Sequence, residues 1–199
     1  MVDLLRPVRL IGITGGSCTG KTTLEHGLAE RFGDNLAIFP FDDMFVGRSA
    51  LGDRVVTDWE DPSLYRWDDF VSHIRDLKMG RATTITAKSR ESKAAGIDQR
   101  LIEPRPVVLV IGFLALHHPE ISDLYDTRIY LELSEDEIVR RRKERANPES
   151  PWDTDEYINE MLIPGHRRVV VPQRNLADHV IDASLPPERV VEEIAKVIV

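Results

Sequence analysis

The chain has 199 residues, of which 42% are hydrophobic and 30% charged, and its formal net charge is −8. These values are typical of one folded domain with a buried core, and the acidic excess argues against a protein that coats nucleic acid. The N-terminal segment lacks the pattern of a signal peptide, no apolar run approaches the roughly 20 residues of a membrane span, and the single cysteine, Cys18, excludes an internal disulfide. We therefore expect a cytoplasmic protein with no membrane or nucleic-acid partner, and we leave homo-oligomer formation open.

Apolar periodicity alternates between strand-like and helix-like segments along the chain. The strand-like segments are 9–14, 35–41, 83–87, 106–112, 127–133 and 177–181. The helix-like segments are 22–32, 63–79, 135–145, 153–171 and 187–199. This alternation predicts a single α/β domain over residues 1–199, in three layers, with a central parallel five-stranded sheet between helices.

Residues 15–22 read Gly-Gly-Ser-Cys-Thr-Gly-Lys-Thr and match the phosphate-binding pattern G-x-x-x-x-G-K-[ST] in full. Backbone N–H groups of such a loop bind a polyphosphate, while Lys21 meets the outer phosphates and the Thr22 hydroxyl binds Mg²⁺. The predicted nucleotide-binding residues are Gly15, Gly16, Ser17, Cys18, Thr19, Gly20, Lys21, Thr22 and Thr23. The alternative is an ordinary turn between a strand and a helix, although the strand before the loop and the helix after it are the context that the pattern requires.

Three further segments narrow the class of phosphate-loop protein. They read Phe41-Asp42-Asp43-Met44-Phe45, Asp58-Trp59-Glu60-Asp61-Pro62-Ser63-Leu64-Tyr65 and Gly112-Phe113-Leu114-Ala115-Leu116. In this order and spacing, nearly the whole chain resembles the uridine kinase and phosphoribulokinase family, and within it the uridine/cytidine kinases and the nicotinamide riboside kinases. A guanine-reading Asn-Lys-x-Asp segment, which a GTPase needs, does not occur in the sequence.

The resemblance implies a P-loop kinase fold with a lid at about 140–153 and a short substrate-side insertion at about 80–104. It also implies that ATP, with Mg²⁺, donates its γ-phosphoryl group to a hydroxyl of a nucleoside or ribosyl-like substrate. Such a transfer needs in-line positioning, neutralisation of charge and a group that accepts the hydroxyl proton.

Acidic residues that match the family pattern are implied to act on the acceptor side. Asp42 is the implied general base and a metal ligand, and the adjacent Asp43 is a second substrate-side candidate, since a shift of one residue would exchange their roles. Glu60 is the implied partner of the ribose hydroxyls, with Asp58 close enough to compete. The alternative for each is a solvated loop carboxylate.

Basic residues are implied to act at the lid and on the substrate. Arg141 and Arg145 are four residues apart on one helical face, and we expect both to cover ATP and stabilise charge on the transferring group. A basic run at a helix C-terminus is also explained by the helix dipole. Arg90, in a Ser-Arg pair, is a substrate-side candidate, whereas 166–168 are expected on a solvated helix face.

The sequence departs from the family pattern at two places. Ile111 stands where relatives carry a glutamate that helps to hold Mg²⁺, and the segment 85–90 lacks the Tyr and His that uridine kinases carry before the Ser-Arg pair. The first change leaves a second hypothesis open, a nucleotide-binding regulatory protein that has lost turnover. The second leaves uridine specificity open, and a kinase of nucleotides or coenzyme precursors is a third hypothesis.

Overall fold

The computed structural model describes residues 7–46, 61–146 and 153–198 of the chain. The strands are β1 (Arg9–Gly15), β2 (Leu36–Pro40), β3 (Thr83–Thr86), β4 (Gln99–Ile102), β5 (Val107–Ile111), β6 (Thr127–Glu132) and β7 (His179–Asp182). The helices are α1 (Lys21–Phe32), α2 (Trp67–Lys78), α3 (Arg90–Ala94), α4 (Pro119–Ser122), α5 (Glu135–Glu144), α6 (155–176) and α7 (Pro187–Ile198). Short 3-10 turns lie at Gly33–Asn35, Phe41–Met44 and Pro62–Leu64.

Five strands form one sheet in the order β2-β5-β1-β6-β7, and every neighbouring pair is parallel. The prediction of a central parallel five-stranded sheet is therefore confirmed. All five residues of β5 are buried, as expected for a strand that is covered on both faces. β5 lies between β1 and β2, and Ile111 pairs with Ile13 on one side and with Pro40 on the other.

Helices cover both faces of the sheet, so the fold has the three layers that the sequence predicts. Because successive strand residues point to opposite faces, Leu10 packs in a cluster with Phe70 and Ile74 of α2. Ile13 points the other way, into a cluster with Leu28 of α1 and Ile194 of α7. We call these the α2-side cluster and the α1-side cluster.

The segment between α2 and β5 forms a small unit of its own at the edge of the sheet. β3 and β4 pair antiparallel, Thr83 with Ile102 and Thr86 with Gln99, and α3 lies between them. We call residues 83–102 the β3–α3–β4 hairpin. The sequence predicts a hairpin or a flexible connection at 88–100, and a hairpin that contains one helical turn is what forms.

Helix α6 contains two wider π turns, and a 3-10 segment, Val171–Leu176, carries it past the predicted end at residue 171. These turns, Ile158–Leu162 and His166–Val170, flank the short α-helical piece Ile163–Gly165. Pro164 lies between the two π turns. A proline has no N–H, and its ring clashes with the preceding turn of a regular α-helix, so wider turns on either side accommodate it. Among the residues that the structure describes, no helix combines the length and the apolarity that crossing a bilayer requires.

Candidate active site

The loops that carry the predicted site residues meet at one edge of the main sheet. The phosphate loop follows β1, Asp42 follows β2 and Gly112 follows β5, and these three strands are parallel neighbours. In open parallel sheets this carboxyl edge is where ligands bind. Gly112 permits close packing there, since a Cβ on it would lie 2.4 Å from the Cβ of Phe41, the residue before Asp42.

The phosphate loop has the backbone of an anion-binding turn. Cys18 and Gly20 both have left-handed φ angles, of 62° and 83°, which turn successive N–H groups towards one concavity. The Thr19 hydroxyl donates to the carbonyl of Gly16 at 2.9 Å and holds the turn closed. The Lys21 ammonium donates to the carbonyls of Gly15 and Gly16, at 2.9 and 2.8 Å.

His166 packs directly against this loop and is not on a solvated helix face, so that expectation is wrong for this residue. It is only 4% exposed, and a Cβ on Gly16 would lie 2.6 Å from its Cε1 and Nδ1 atoms. Burial lowers its pKa below 6.5; Lys21 lowers it further, while Glu135 raises it. Arg167 and Arg168 are exposed as expected. The π turn that begins at His166 changes the helical phase of α6, which a regular 3.6-residue pattern does not reveal.

Three guanidinium groups of helix α5 and the residue after it surround the outer rim of the phosphate loop. Arg141 donates to the carbonyl of Cys18 at 3.2 Å, whereas Arg142 and Arg145 donate to the Ser17 hydroxyl at 3.3 and 3.2 Å. Arg141 and Arg145 were predicted from the sequence, and Arg142 was not. The signal was available, because residues three apart on a helix, such as 142 and 145, also share a face.

A capping residue and acidic side chains hold helix α5 and its arginines in place. Ser134 caps the helix by accepting from the N–H of Glu137 at 3.3 Å. Hydrogen bonds from Arg140 and Arg141 lower the pKa of Glu137 to about 2. Arg142 is anchored by an ion pair with Asp153 at 2.9 Å. The N-terminus of α5 is thus capped, and ion pairs with acidic residues hold its arginines beside the loop.

The oxygen donors predicted for Mg²⁺ lie at the rim of the same edge. Asp42 is exposed in the turn after β2, and Thr22 is exposed in the first turn of α1. A carboxylate and a hydroxyl are ligands that Mg²⁺ accepts beside phosphate oxygens and water. Among the described residues, no group of three His, Cys, Asp or Glu side chains could hold a metal ion without such help.

Ile111 contributes nothing polar to this edge. Its side chain is 2% exposed and lies in the α1-side cluster with Ile13 and Leu24. The end of β5 is therefore part of the apolar core in this chain.

Asp43 differs sharply from its neighbour Asp42. Its carboxylate is fully buried and accepts from the Ser89 N–H and the Ser92 hydroxyl, both at 3.0 Å, and from Arg100 Nε at 3.4 Å. These contacts use both carboxylate oxygens. The sequence predicts Asp43 as a second substrate-side candidate, and the structure shows that both of its carboxylate oxygens have partners within the protein.

The structure does not describe the side chains of three residues that were predicted to contact substrate. Asp58 and Glu60 lie outside the described residues. Arg90 begins helix α3, next to Ser89, but its side chain also lies outside the described part of the structure. Their roles stay predictions.

Gln173 organises the floor of the site and was not identified from the sequence. Its Oε1 accepts from the Thr14 hydroxyl at 3.1 Å and from the Leu116 N–H at 3.0 Å. Its Nε2 donates to the carbonyls of Phe113 and Val169, at 2.8 and 2.9 Å. One buried amide thus joins the end of β1, the turn after β5 and helix α6. A glutamine in a short polar stretch carries no local signal of this kind.

The model of the Phosphoribulokinase / Uridine kinase family matches residues 10–190. The chain belongs to this family. It is 27% identical to a uridine kinase of Halobacterium salinarum, over 88% of this chain and 80% of that protein. It is 30% identical to a uridine kinase of Chlamydia pneumoniae, over 89% of this chain and 83% of that protein.

Solved structures agree with the fold. The phosphoribulokinase of Rhodobacter spheroides superposes with a TM-score of 0.62 at 17% identity, covering 92% of this chain and 74% of that one. A shikimate kinase of Acinetobacter baumannii superposes with a TM-score of 0.52 at 14% identity, covering 96% and 93%. Membership of the Phosphoribulokinase / Uridine kinase family makes the chain a small-molecule kinase, a phosphotransferase with an alcohol group as acceptor.

Proposed function

We propose that this family member transfers the γ-phosphoryl group of ATP to a hydroxyl of a nucleoside or ribosyl-like substrate. The observation that carries the proposal is the meeting of a complete phosphate loop and the exposed Asp42 carboxylate at one edge of the sheet. Relatives named uridine kinase support the nucleoside class. Such an enzyme works in the cytoplasm on a small-molecule substrate.

In this proposal, contacts within the phosphate loop are replaced by contacts to ATP when the nucleotide binds. The Lys21 ammonium bonds to two loop carbonyls, and a polyphosphate offers it charged acceptors, which form stronger hydrogen bonds. Arg142 and Arg145 already reach the Ser17 hydroxyl on the rim. They can follow the phosphates as these fill the loop. The lid predicted at about 140–153 would cover the nucleotide in this way, and its residues 147–152 lie outside the described part of the chain.

The Thr22 hydroxyl and the Asp42 carboxylate are the residues that would hold Mg²⁺ beside phosphate oxygens and water. A bound ion would supply neutralisation of charge on the phosphates. Ile111 takes no part, because an alkyl side chain has no donor atom and its surroundings are apolar. Lys21 and the arginines carry the remaining charge stabilisation from this chain's own residues.

Asp42 accepts the proton of the acceptor hydroxyl. A general base must reach that proton, and the Asp42 carboxylate is exposed at the sheet edge beside the loop. Glu60 or Asp58 binds the ribose hydroxyls in this proposal, and Arg90 contacts the substrate from the insertion at 80–104. All these parts belong to one kinase domain over residues 1–199.

Kinase turnover tests the proposal. ADP release would be measured with Mg²⁺ and ATP against nucleosides, nicotinamide riboside, pantothenate and simple sugars. We expect turnover that depends on a nucleoside or ribosyl acceptor, and a fall of about 100- to 10,000-fold in Asp42→Asn. Asp34→Asn, an exposed acid just before β2, is the matched control and should keep full activity.

A second candidate is a nucleotide-binding protein without turnover. The burial of Ile111 in the apolar cluster favours it, because the family carboxylate at this position has no polar replacement on its own strand. Tight ATP binding with no ADP release on any acceptor would support this candidate and contradict the kinase proposal.

A further inference from the structure

The buried carboxylate of Asp43 is the centre of a polar network that joins two parts of the chain. One part is the 3-10 turn Phe41–Met44, which carries Asp42. The other is the β3–α3–β4 hairpin, from which Ser89, Ser92 and Arg100 reach the carboxylate. Arg100 also donates to the Ser92 hydroxyl at 3.2 Å, so the members of the network contact one another as well.

A second connection links the same two parts through the main chain. The Arg66 guanidinium donates to the carbonyl of Asp43 at 2.8 Å and to the carbonyl of Thr86 at 2.9 Å. Arg66 directly precedes helix α2, whose buried residues pack in the α2-side cluster, so the bridge has a rigid support. The turn and the hairpin are thus joined at the side chain and at the backbone of one residue.

The energetic consequence follows from burial. Asp43 and Ser92 are 0% and 3% exposed, so water cannot replace a lost partner without the hairpin moving. A buried polar group that loses its hydrogen bond costs more than the bond itself contributes, and more still when the group is charged. The hairpin and the turn therefore have one strongly preferred position relative to each other.

We propose that Asp43 is a positioning residue, which latches the β3–α3–β4 hairpin to the turn carrying Asp42 and so sets the base for the acceptor. The proposal rests on the proposed function, in which Asp42 is the base and the hairpin borders the acceptor. The latch leaves the phosphate loop untouched, because none of its described contacts reaches residues 15–22. Acceptor use and ATP binding should therefore respond differently to its loss.

Steady-state kinetics and ATP binding of the full chain test this separation. Asp43→Asn should lower kcat/KM for the acceptor by about 10- to 100-fold, as expected for a displaced reacting group. The Kd for ATP should stay within about twofold. Ser92→Ala should lower kcat/KM for the acceptor by a smaller factor and should also leave the Kd for ATP unchanged. In the double variant, kcat/KM should fall by less than the product of the two single-variant factors.

A matched control separates the latch from simple loss of a buried hydroxyl. Ser122 is 4% exposed, and its hydroxyl has no hydrogen-bond partner among the described residues. Ser122→Ala should leave acceptor kinetics unchanged. Equal losses in acceptor use and ATP affinity, or independent effects of Asp43→Asn and Ser92→Ala, would overturn the proposal.

Hydrogen exchange followed by mass spectrometry judges the latch without any turnover. In Asp43→Asn, amides of residues 41–46 and 83–102 should exchange faster, while those of 15–22 stay as protected as in the natural chain. Unchanged exchange in the hairpin would overturn the latch whatever the kinetics show. A natural chain that phosphorylates no acceptor would instead count against the proposed function, and faster exchange would still support the latch.

Discussion

The nucleotide half and the acceptor half of the candidate site are built in opposite ways. In the nucleotide half, eight consecutive residues, 15–22, form the binding loop, and cations from α5 contact its rim. In the acceptor half, a single buried carboxylate, Asp43, gathers groups from positions up to 57 residues away in the chain. The binding loop of the first half is one contiguous segment, whereas the Asp43 network of the second half forms only once the hairpin has folded onto the end of β2.

This difference has a physical reason. A phosphate has the same shape and charge in every nucleotide, so backbone N–H groups and a lysine suffice to bind it. An acceptor has its own pattern of hydroxyls and rings, and a site that reads them needs side chains fixed in a particular arrangement. The buried network around Asp43 provides such fixation on the acceptor side.

The largest effect is expected at Ile111, which lies between the two halves. Ile111→Glu places a carboxylate among Ile13, Leu24 and other apolar side chains, and should destabilise the nucleotide-free protein by about 2–4 kcal/mol. Since Thr22 and Asp42 hold the metal in our proposal, turnover should gain less than about tenfold. Urea unfolding and ADP release measure the two quantities, with Ile111→Leu as the control. A gain of about 100-fold or more would show that the natural chain is an impaired enzyme.

An intermediate effect is expected at Gly16, in the nucleotide half alone. The Cβ of Gly16→Ala would lie 2.6 Å from the ring of His166, so the loop or the ring must move. We expect ATP affinity, measured by titration, to fall by about 10- to 100-fold, because the N–H groups of the loop would no longer point at the phosphates. The double variant with His166→Ala should regain part of that affinity.

Gly27→Ala is the matched control for this experiment. Its Cβ would lie 2.7 Å from Val191 of α7, a similar clash away from the loop, so it should lower stability but leave ATP affinity unchanged. If Gly16→Ala altered acceptor kinetics at constant ATP affinity, the separation of the two halves would be wrong.

The smallest effect is expected from acid. Burial holds the pKa of His166 below 6.5, so between that lowered value and 6.5 the unfolded chain binds more protons than the folded one. The free energy of unfolding should therefore fall as the pH drops below 6.5, and should not depend on this group above it. His73 and His117, whose pKa values burial also lowers, act in the same direction.

Urea unfolding of the natural chain and of His166→Phe at pH 7.5 and 5.5 checks this prediction. The variant should lose less stability between the two pH values than the natural chain. An equal loss in both proteins would show that His166 does not contribute to the acid sensitivity of the nucleotide half.

Much of the fold was predictable because its signals are local. Strand β5 was recognised from an unbroken apolar run, and α5 from Ser134 before an acidic turn, and both lie within two residues of their predicted ends. Helix α6 ends five residues later than predicted, because a 3-10 segment, Val171–Leu176, follows its second π turn. The roles of Gln173 and His166 were not predictable, because each depends on partners that are distant in sequence.

The sequence by itself determined the phosphate loop, the parallel sheet and the family resemblance that the comparisons confirm, because each follows from contiguous or regularly spaced residues. Only the tertiary structure decided which of two adjacent aspartates is exposed and which is buried. Asp42 and Asp43 are chemically identical, and one step along a 3-10 turn sends their carboxylates in different directions. Ser89, Ser92 and Arg100 contact the buried carboxylate of Asp43, whereas the carboxylate of Asp42 is exposed at the edge of the sheet.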